Sequence, residues 1–160
     1  MTVSWCYFYD HSKGMLIGHS DDNGDEDVVL SVTLHHNWFQ QNTRAPRVRF
    51  GRVHSYNNCF DGMDTAVASH QHSRVVVENS FFHDCKCTTL ISTEGELVLR
   101  GNAFVQVDYD VVSGSNGDAF APADIYDYVL DETFLVPGLV NDSGHAIMAK
   151  AGSGKGYKVT

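Results

Sequence analysis

The stretch Asn37-Trp38-Phe39 is the first complete copy of an Asn-x-Phe pattern, which recurs at Asn58, Asn79 and Asn102. A partial copy, Cys6-Tyr7-Phe8, precedes it and has cysteine in place of asparagine. The phenylalanines occupy positions 8, 39, 60, 81 and 104, so their spacing is nearly constant after a longer first interval. A short β-branched or aliphatic run precedes each complete copy. Such a regular, short period is typical of a solenoid in which each coil holds three short strands.

The repeat predicts an all-β fold, because leucine-rich repeats of similar length need leucines at fixed places and those are missing. We predict a parallel β-helix of about five coils, stacked about 4.8 Å apart. Each asparagine then lies over the next one and forms amide hydrogen bonds along the stack, while each phenylalanine packs inside. Both rows are therefore interpreted as structural and not as a ligand site.

The repeat fades after position 105, which suggests a change of organisation. We predict that residues 1–118 form the coils and that 119–150 form a helical or loop cap over the last coil, because solenoids need their open ends covered. The glycine-rich end, 151–160, is predicted to be a flexible tail. Three apolar or aromatic residues of the cap have helical spacing: Ile125, Tyr128 and Val129.

The chain has 160 residues and a formal net charge of −9 at pH 7. This acidity argues against nucleic acid as a partner, because phosphates attract broad basic surfaces. No apolar run reaches the length of a transmembrane helix, so no membrane partner is predicted. The opening residues, 1–5, lack the basic start and apolar segment of a secretory signal peptide. Four cysteines permit either two disulfides or buried free thiols: Cys6, Cys59, Cys85 and Cys87.

A local basic strip, Arg44-Ala45-Pro46-Arg47-Val48-Arg49, interrupts this acidic chain. Pro46 fixes its own φ and favours an extended conformation at the residue before it, so the strip is predicted to lead into a strand. On that strand Arg47 and Arg49 point to the same face. Arginines so arranged can bind planar carboxylates through forked hydrogen bonds. The alternative is that they pair with nearby acids on the surface.

An acidic loop, residues 21–27, spaces its oxygen atoms like the start of a calcium-binding loop. It has Glu26 where that loop needs glycine and Val32 where it needs glutamate, so we interpret it as a solvated loop. His70 and His72 share a strand face, but no third ligand is evident in the sequence. No metal-ligating residue is therefore assigned.

Three segments in order, Ser4–Gly18, His35–Phe39 and Arg44–Asn58, resemble the extracellular pectate lyases of polysaccharide lyase family 1. A weaker likeness continues through Glu94-Gly95 to the ending at 151–155. The resemblance implies a right-handed parallel β-helix, in agreement with the period of the repeat. It also implies a secreted enzyme that cleaves α-1,4-linked polygalacturonate (pectate) by β-elimination.

The family's arginine-x-proline-x-x-arginine motif coincides with Arg44, Pro46 and Arg49. By resemblance, Arg44 is the catalytic base that removes the C5 proton of the sugar, Lys13 and Arg49 bind substrate carboxylates, and His54 supports the site. Loss of that proton makes a doubly charged, enolate-like species, which fixed cations stabilise more than the ground state. An arginine side chain has a pKa above about 12 in water, so an arginine base implies neighbouring cations, burial and an alkaline optimum.

The resemblance further implies calcium as a cofactor that bridges enzyme and substrate through carboxylates. In the family, several of these carboxylates lie in coils before the segment that matches Val3, and this sequence does not contain them. We therefore expect a truncated or naturally short member, whose open first coil favours self-association.

The alternative to a lyase is an inactive remnant that binds polyuronate but lacks the family's calcium site. A third class, a polygalacturonase on the same fold, needs paired carboxylates for hydrolysis, and no suitable set is evident in the sequence.

Overall fold

The computed structural model describes residues 1–108 and 115–141, and fourteen short strands lie within them. Three consecutive strands make one coil. In chain order and coil by coil, the strands are β1 (Thr2–Ser4), β2 (Tyr7–His11) and β3 (Leu16–Ile17); β4 (Ser31–His35), β5 (Trp38–Asn42) and β6 (Arg47–Arg49); β7 (Arg52–Tyr56), β8 (Cys59–Asp61) and β9 (Thr65–His70); β10 (Arg74–Glu78), β11 (Phe81–His83) and β12 (Cys87–Ile91); and β13 (Glu96–Arg100) with β14 (Ala103–Val105).

Corresponding strands of successive coils pair in parallel and form three sheets along the solenoid. Sheet A contains the first strand of every coil, sheet B the second and sheet C the third. The predicted parallel β-helix is confirmed. The predicted number of coils is about five, and the described residues form four complete coils and two strands of a fifth.

A column of phenylalanines fills the centre of the solenoid. The rings of Phe39, Phe60 and Phe82 are fully buried and lie face to face, with centroids of successive pairs 5.1 and 4.6 Å apart. Burial of each large ring stabilises the fold by roughly 2–3 kcal/mol. The sequence pattern placed Phe81 in this column, which is wrong, because Phe82 pairs with Phe60. Half-buried rings continue the column at its two ends: Phe8 and Phe104.

An asparagine ladder runs beside the phenylalanine column. The Oδ1 atom of the fully buried Asn58 accepts hydrogen bonds from the backbone N and the Nδ2 of Asn37, at 2.8 and 3.0 Å. The next rung is Ser80, whose hydroxyl accepts from the backbone N of Asn58 at 3.2 Å. Asn102 follows and accepts from the backbone N of Ser80 at 2.8 Å. The ladder is confirmed, but its predicted rung at Asn79 is wrong.

This error of one position arises from the length of the third coil. The interval from Phe60 to its partner Phe82 is one residue longer than the interval from Phe39 to its partner Phe60. Asn79 therefore aligns with Asn57, and the two have φ values of 42° and 49° in the turn after sheet A. Asparagine adopts this left-handed conformation more readily than most residues. Asn79 thus shapes the turn and is not a rung of the ladder.

The acidic loop between the first two coils contains a single helical turn, α1 (Gly24–Asp27). Asp27 is buried, and its carboxylate accepts hydrogen bonds from Asn23 Nδ2 at 3.0 Å and from the backbone N of His19. The loop is therefore solvated only in part, because one of its acids holds the loop together from inside.

Residues 115–141, here called the C-terminal strap, lie along the side of the solenoid. The hydroxyl of Tyr126 is 2.5 Å from His54 Nδ1, and the hydroxyl of Tyr128 donates to Glu78 Oε2 at 2.6 Å. Both partners belong to the outer face of sheet A. The strap then reaches the side of sheet B through α2 (Val136–Asn141). There, four side chains form a second apolar cluster with Cys59: Trp5, Trp38, Val136 and Val140.

The tyrosines of the strap bond to the sides of the coils, and Thr133 donates to the carbonyl of Gly101 in the last coil. In place of the helix predicted near Ile125 there is a 3-10 turn, Pro122–Asp124. The physical reason lies in the outer face of sheet A. His54 and Glu78 on that face are only 2 % and 4 % exposed, and buried polar groups need hydrogen-bonding cover. The assignment of 119–150 as a cap over the last coil stays a prediction.

The remaining expectations about the chain have different outcomes. Cys6, Cys59 and Cys85 are free thiols, and Cys59 and Cys85 are buried, which is one of the two alternatives that the sequence allowed. No helix within the described residues is long and apolar enough to cross a bilayer. Self-association through the first coil stays a prediction. The remainder of the predicted cap and the predicted tail, 142–160, lie outside the described residues.

We predict that Asn58→Leu destabilises the fold by about 3–5 kcal/mol, because buried donors and acceptors on Asn37, Leu34 and Ser55 lose their partner. Urea unfolding followed by circular dichroism measures the change. Asn102→Leu is the matched control. It loses fewer contacts on a half-buried rung, so we expect a cost of about 1–2 kcal/mol. Equal costs at the two positions would contradict the ladder.

We predict that His35 makes stability depend on acidity. Burial, followed by the nearby His36 and His54, lowers the pKa of His35 from 6.5 to about 4. The unfolded chain therefore binds this proton first, and the stabilisation present above pH 6.5 is lost as the pH falls towards about 4.

Urea unfolding between pH 7 and 4.5 measures this loss. The loss of stability on acidification should be about 1–2 kcal/mol smaller in His35→Gln than in the wild type. This figure allows for solvent screening of a side chain that is not fully buried. His72→Gln, at an exposed position, is the control. Identical pH profiles for the wild type and His35→Gln would contradict the prediction.

Candidate active site

The basic strip forms β6 and the turn before it. The strand begins at Arg47, directly after Pro46, as the sequence predicts. Val48 is fully buried in the core, whereas Arg47 and Arg49 on either side of it are half-buried. Because neighbouring residues of a strand point to opposite faces, both arginines lie on the outer face of sheet C.

Lys13 and Arg44 occupy equivalent places in the first two coils. Two residues before Lys13, His11 pairs with Asn42, which lies two residues before Arg44. The strands that follow, β3 and β6, also pair. Lys13 therefore has the same position in the first coil as Arg44 has in the second. The backbone N of the residue after Lys13 donates to the carbonyl of Thr43 at 3.0 Å, which joins the two turns directly. Lys13 is exposed, whereas Arg44 is half-buried. The structure thus brings the two turns together at one edge of sheet C.

Arg49 forms an ion pair with Asp21 of the acidic loop. Its Nε donates to Asp21 Oδ1, and the two side chains are 14 % and 53 % exposed. The hydrogen bond from Arg49 is the main reason that the pKa of Asp21 is lowered, with a smaller contribution from Gln71. The alternative in which the arginines pair with local acids is therefore realised at Arg49.

Arg47 lies in the middle of a cationic group. Burial, followed by the charges of Arg49 and Arg44, lowers the pKa of Arg47, and Asp21 opposes this effect. We call Arg44, Arg47 and Arg49 the arginine cluster. The other two members lie close enough to Arg47 for their charges to act on it, so the three arginines lie together on β6 and the turn before it.

His70 joins the arginine cluster, although sequence reasoning missed it. It pairs with Arg49 across β6 and β9, and its Nδ1 is hydrogen-bonded to the hydroxyl of Ser92. Burial, with the charges of Arg47 and Arg49, lowers the pKa of His70, which favours a neutral imidazole. The signal that finds it is the repeat itself, because His70 follows Arg49 by one full period and thus lies in its column.

His54 lies away from this cluster, in contrast to the supporting role that the resemblance implies. It belongs to sheet A, where it bonds to Glu78 at 2.9 Å and to Tyr126. Across residues 1–108 and 115–141, no group of three His, Cys, Asp or Glu side chains is arranged to hold a metal ion. The described residues therefore do not fit a self-contained calcium site.

The chemistry open to this surface is that of an anion site. Three arginines lie together on β6 and the turn before it, with Lys13 in the adjoining turn, and Asp21 pairs with one of the arginines. Guanidinium groups bind carboxylates through paired N–H donors, and their attraction grows where side chains are partly buried. A substrate that develops negative charge next to a carboxylate would be stabilised here.

Comparisons with known proteins identify the family of this chain. Residues 1–135 match the family model described as pectate lyase. Among curated proteins, pectate lyase plyB of Emericella nidulans is 40 % identical over 119 residues, which is 72 % of this chain and 36 % of the relative. Pectate lyase A of the same organism is 37 % identical over 117 residues, with the same two shares. The matched segment thus covers 36 %, about a third, of the length of each relative.

Solved structures show the same fold. A pectate lyase from Bacillus sp. N165, solved in complex with trigalacturonate, superposes with a TM-score of 0.73 at 29 % identity, covering 88 % of this chain and 47 % of that one. Jun a 1, the major allergen of cedar pollen, superposes with a TM-score of 0.74 at 26 % identity, covering 89 % and 46 %. By its match over residues 1–135, this chain belongs to the pectate lyase family.

Proposed function

We propose that the protein is a pectate lyase-like enzyme that cleaves α-1,4-polygalacturonate by β-elimination. The observation that carries the proposal is the arginine cluster, formed by β6 of sheet C and the turn before it, with Lys13 in the adjoining turn of the first coil. Polygalacturonate has a carboxylate on every sugar, so a compact cationic surface on an acidic protein matches its charge.

In the proposed reaction, Arg44 takes the C5 proton of a galacturonate unit. The electron pair released at C5 forms the C4–C5 double bond, the bond from C4 to the glycosidic oxygen breaks, and the leaving oxygen takes a proton from water. Arg49 and Lys13 bind substrate carboxylates and so stabilise the charge that grows when the C5 proton departs. Arg44 is suited to the role of base because it lies in the turn that leads directly to the other arginines.

Calcium is implied by membership of the family. Because the described residues contain no group of three or more His, Cys, Asp or Glu side chains able to hold a metal ion, no step of the reaction is assigned to calcium here. We also propose that the protein acts outside the cell, since a polymeric substrate cannot readily enter one.

A second candidate function is polyuronate binding without cleavage. The observation that favours it is that the described residues do not present a group of carboxylates able to hold a metal ion. A protein of this kind would use the same cations, Lys13 and Arg49, to bind the polymer. It would release no product.

The test is formation of unsaturated products from polygalacturonate, followed by their ultraviolet absorbance, in buffers with added calcium ions and with a chelator. We expect product from the wild type and a loss of at least about 100-fold in Arg44→Ala, because the base is removed. Arg74→Ala, at the start of β10 on sheet A, is the control for charge and should keep the wild-type rate. An Arg44→Ala variant as fast as wild type would exclude Arg44 as the base, and binding without product would favour the second candidate.

A further inference from the structure

Arg47 has a buried donor that nothing satisfies. In the part of the chain that the structure describes, its Nε atom is inaccessible to solvent and has no acceptor within hydrogen-bond distance. Buried donors in native proteins nearly always have a partner, and one without a partner calls for a physical reason. Leaving such a group unpaired costs stability, more so when the group is charged.

The surroundings of Arg47 explain why no partner is supplied from within. Its neighbours along the stack are Leu16 on β3 and Ala68 on β9, and neither side chain has an acceptor. The nearby acid, Asp21, is hydrogen-bonded to Arg49. The other two members of the arginine cluster repel Arg47. The site thus contains an arginine that is held among cations without a local acceptor.

We propose that Arg47 is a further substrate-binding residue, whose guanidinium donates hydrogen bonds to a carboxylate of the polyuronate chain next to the carboxylate bound by Arg49. This inference rests on the proposed function and deepens it, because it adds a third arginine to the surface that meets the polymer. The residue is only half-buried, so its guanidinium group can meet a carboxylate at the surface of sheet C. A carboxylate at Arg47 also offsets the repulsion among the three arginines.

The spacing of the two arginines fits two separate anionic groups. Arg47 and Arg49 are alternate residues on one strand face, which places their α-carbons about 6.6 Å apart. Arg49 is partly occupied by Asp21 through its Nε edge, whereas no acid of the described chain accepts a hydrogen bond from Nε of Arg47. Among the described residues, no acid competes with an incoming carboxylate for Nε of Arg47.

The experiment is calorimetric titration with trigalacturonate and with its methyl ester, which has the same sugar backbone without the charges. The variants are Arg47→Gln, Arg47→Lys and the charge-matched control Arg74→Gln on sheet A. Circular dichroism and urea unfolding check that each variant folds. We expect Arg47→Gln to weaken trigalacturonate binding by about tenfold or more and to leave binding of the ester unchanged. Arg74→Gln should change neither by more than about twofold.

Arg47→Lys separates charge from geometry. Lysine keeps the positive charge but lacks the Nε donor and the fork, so we expect trigalacturonate to bind about threefold more weakly than to wild type. If Arg47→Gln fails to fold, Arg47→Lys provides the test. An Arg47→Lys variant that binds trigalacturonate with wild-type affinity would overturn the proposal.

The outcomes also separate this inference from the proposed function. A wild type that does not bind trigalacturonate overturns both. A wild type that binds, together with an Arg47→Gln variant that binds equally well, overturns only the role of Arg47. Equal losses for trigalacturonate and its ester would show a structural effect and would likewise overturn that role.

Discussion

The vertical alignment of equivalent side chains from coil to coil is the constraint on which the rest of this structure depends. Strands of adjacent coils are about 4.8 Å apart, so every inward position must repeat a side chain that stacks on its neighbour. Phe39, Phe60 and Phe82 meet this requirement with parallel rings, and Asn37 and Asn58 meet it with amides that bond along the axis. A shift of one residue within a strand would turn inward side chains outward. The register is therefore held wherever a column is buried.

The same alignment arranges the outside of the molecule. Lys13 lies beside Arg44 and Arg49 beside His70 because each pair occupies one column in adjacent coils. The outer faces differ in what covers them. The C-terminal strap bonds to His54 and Glu78 on sheet A and contacts sheet B through α2, whereas no described strap residue bonds to the arginines of β6 or the turn before it. Sheet C is thus the face on which a rigid scaffold presents charged side chains to solvent.

Much of this arrangement could be predicted from the sequence, because it follows from the period of the repeat and from the alternation of inward and outward side chains along each strand. The repeat indicates stacked coils, and the alternation around Val48 places two arginines on one face. The assignments that failed did so because contacts between distant parts of the chain override the local sequence pattern. Asn79 and Phe81 match the motif by letter, yet the third coil is one residue longer, so hydrogen-bonded register overrides the local pattern. The strap has helical spacing, but Tyr126 and Tyr128 form tertiary hydrogen bonds with sheet A instead. Pairing of the arginines with nearby acids was one of two predicted alternatives. The partner, Asp21, could not be identified, because that contact spans a loop that sequence spacing does not constrain.

A protein with a net charge of −9 can still bind a polyanion, because the relevant field is local. Charges further apart than the Debye length, about 8 Å at physiological ionic strength, are largely screened at the surface. The acids of distant coils and of the strap therefore contribute little to the electrostatic potential at the arginine cluster. Its three arginines lie within one strand and the turn before it. Binding and catalysis make different demands on such a surface. Binding needs only attraction to carboxylates already present, whereas elimination needs cations placed where new charge appears during the reaction. A cluster that is partly buried, mutually repelling and joined to a rigid stack is suited to the second demand, because its positions do not relax when the charge of the sugar changes.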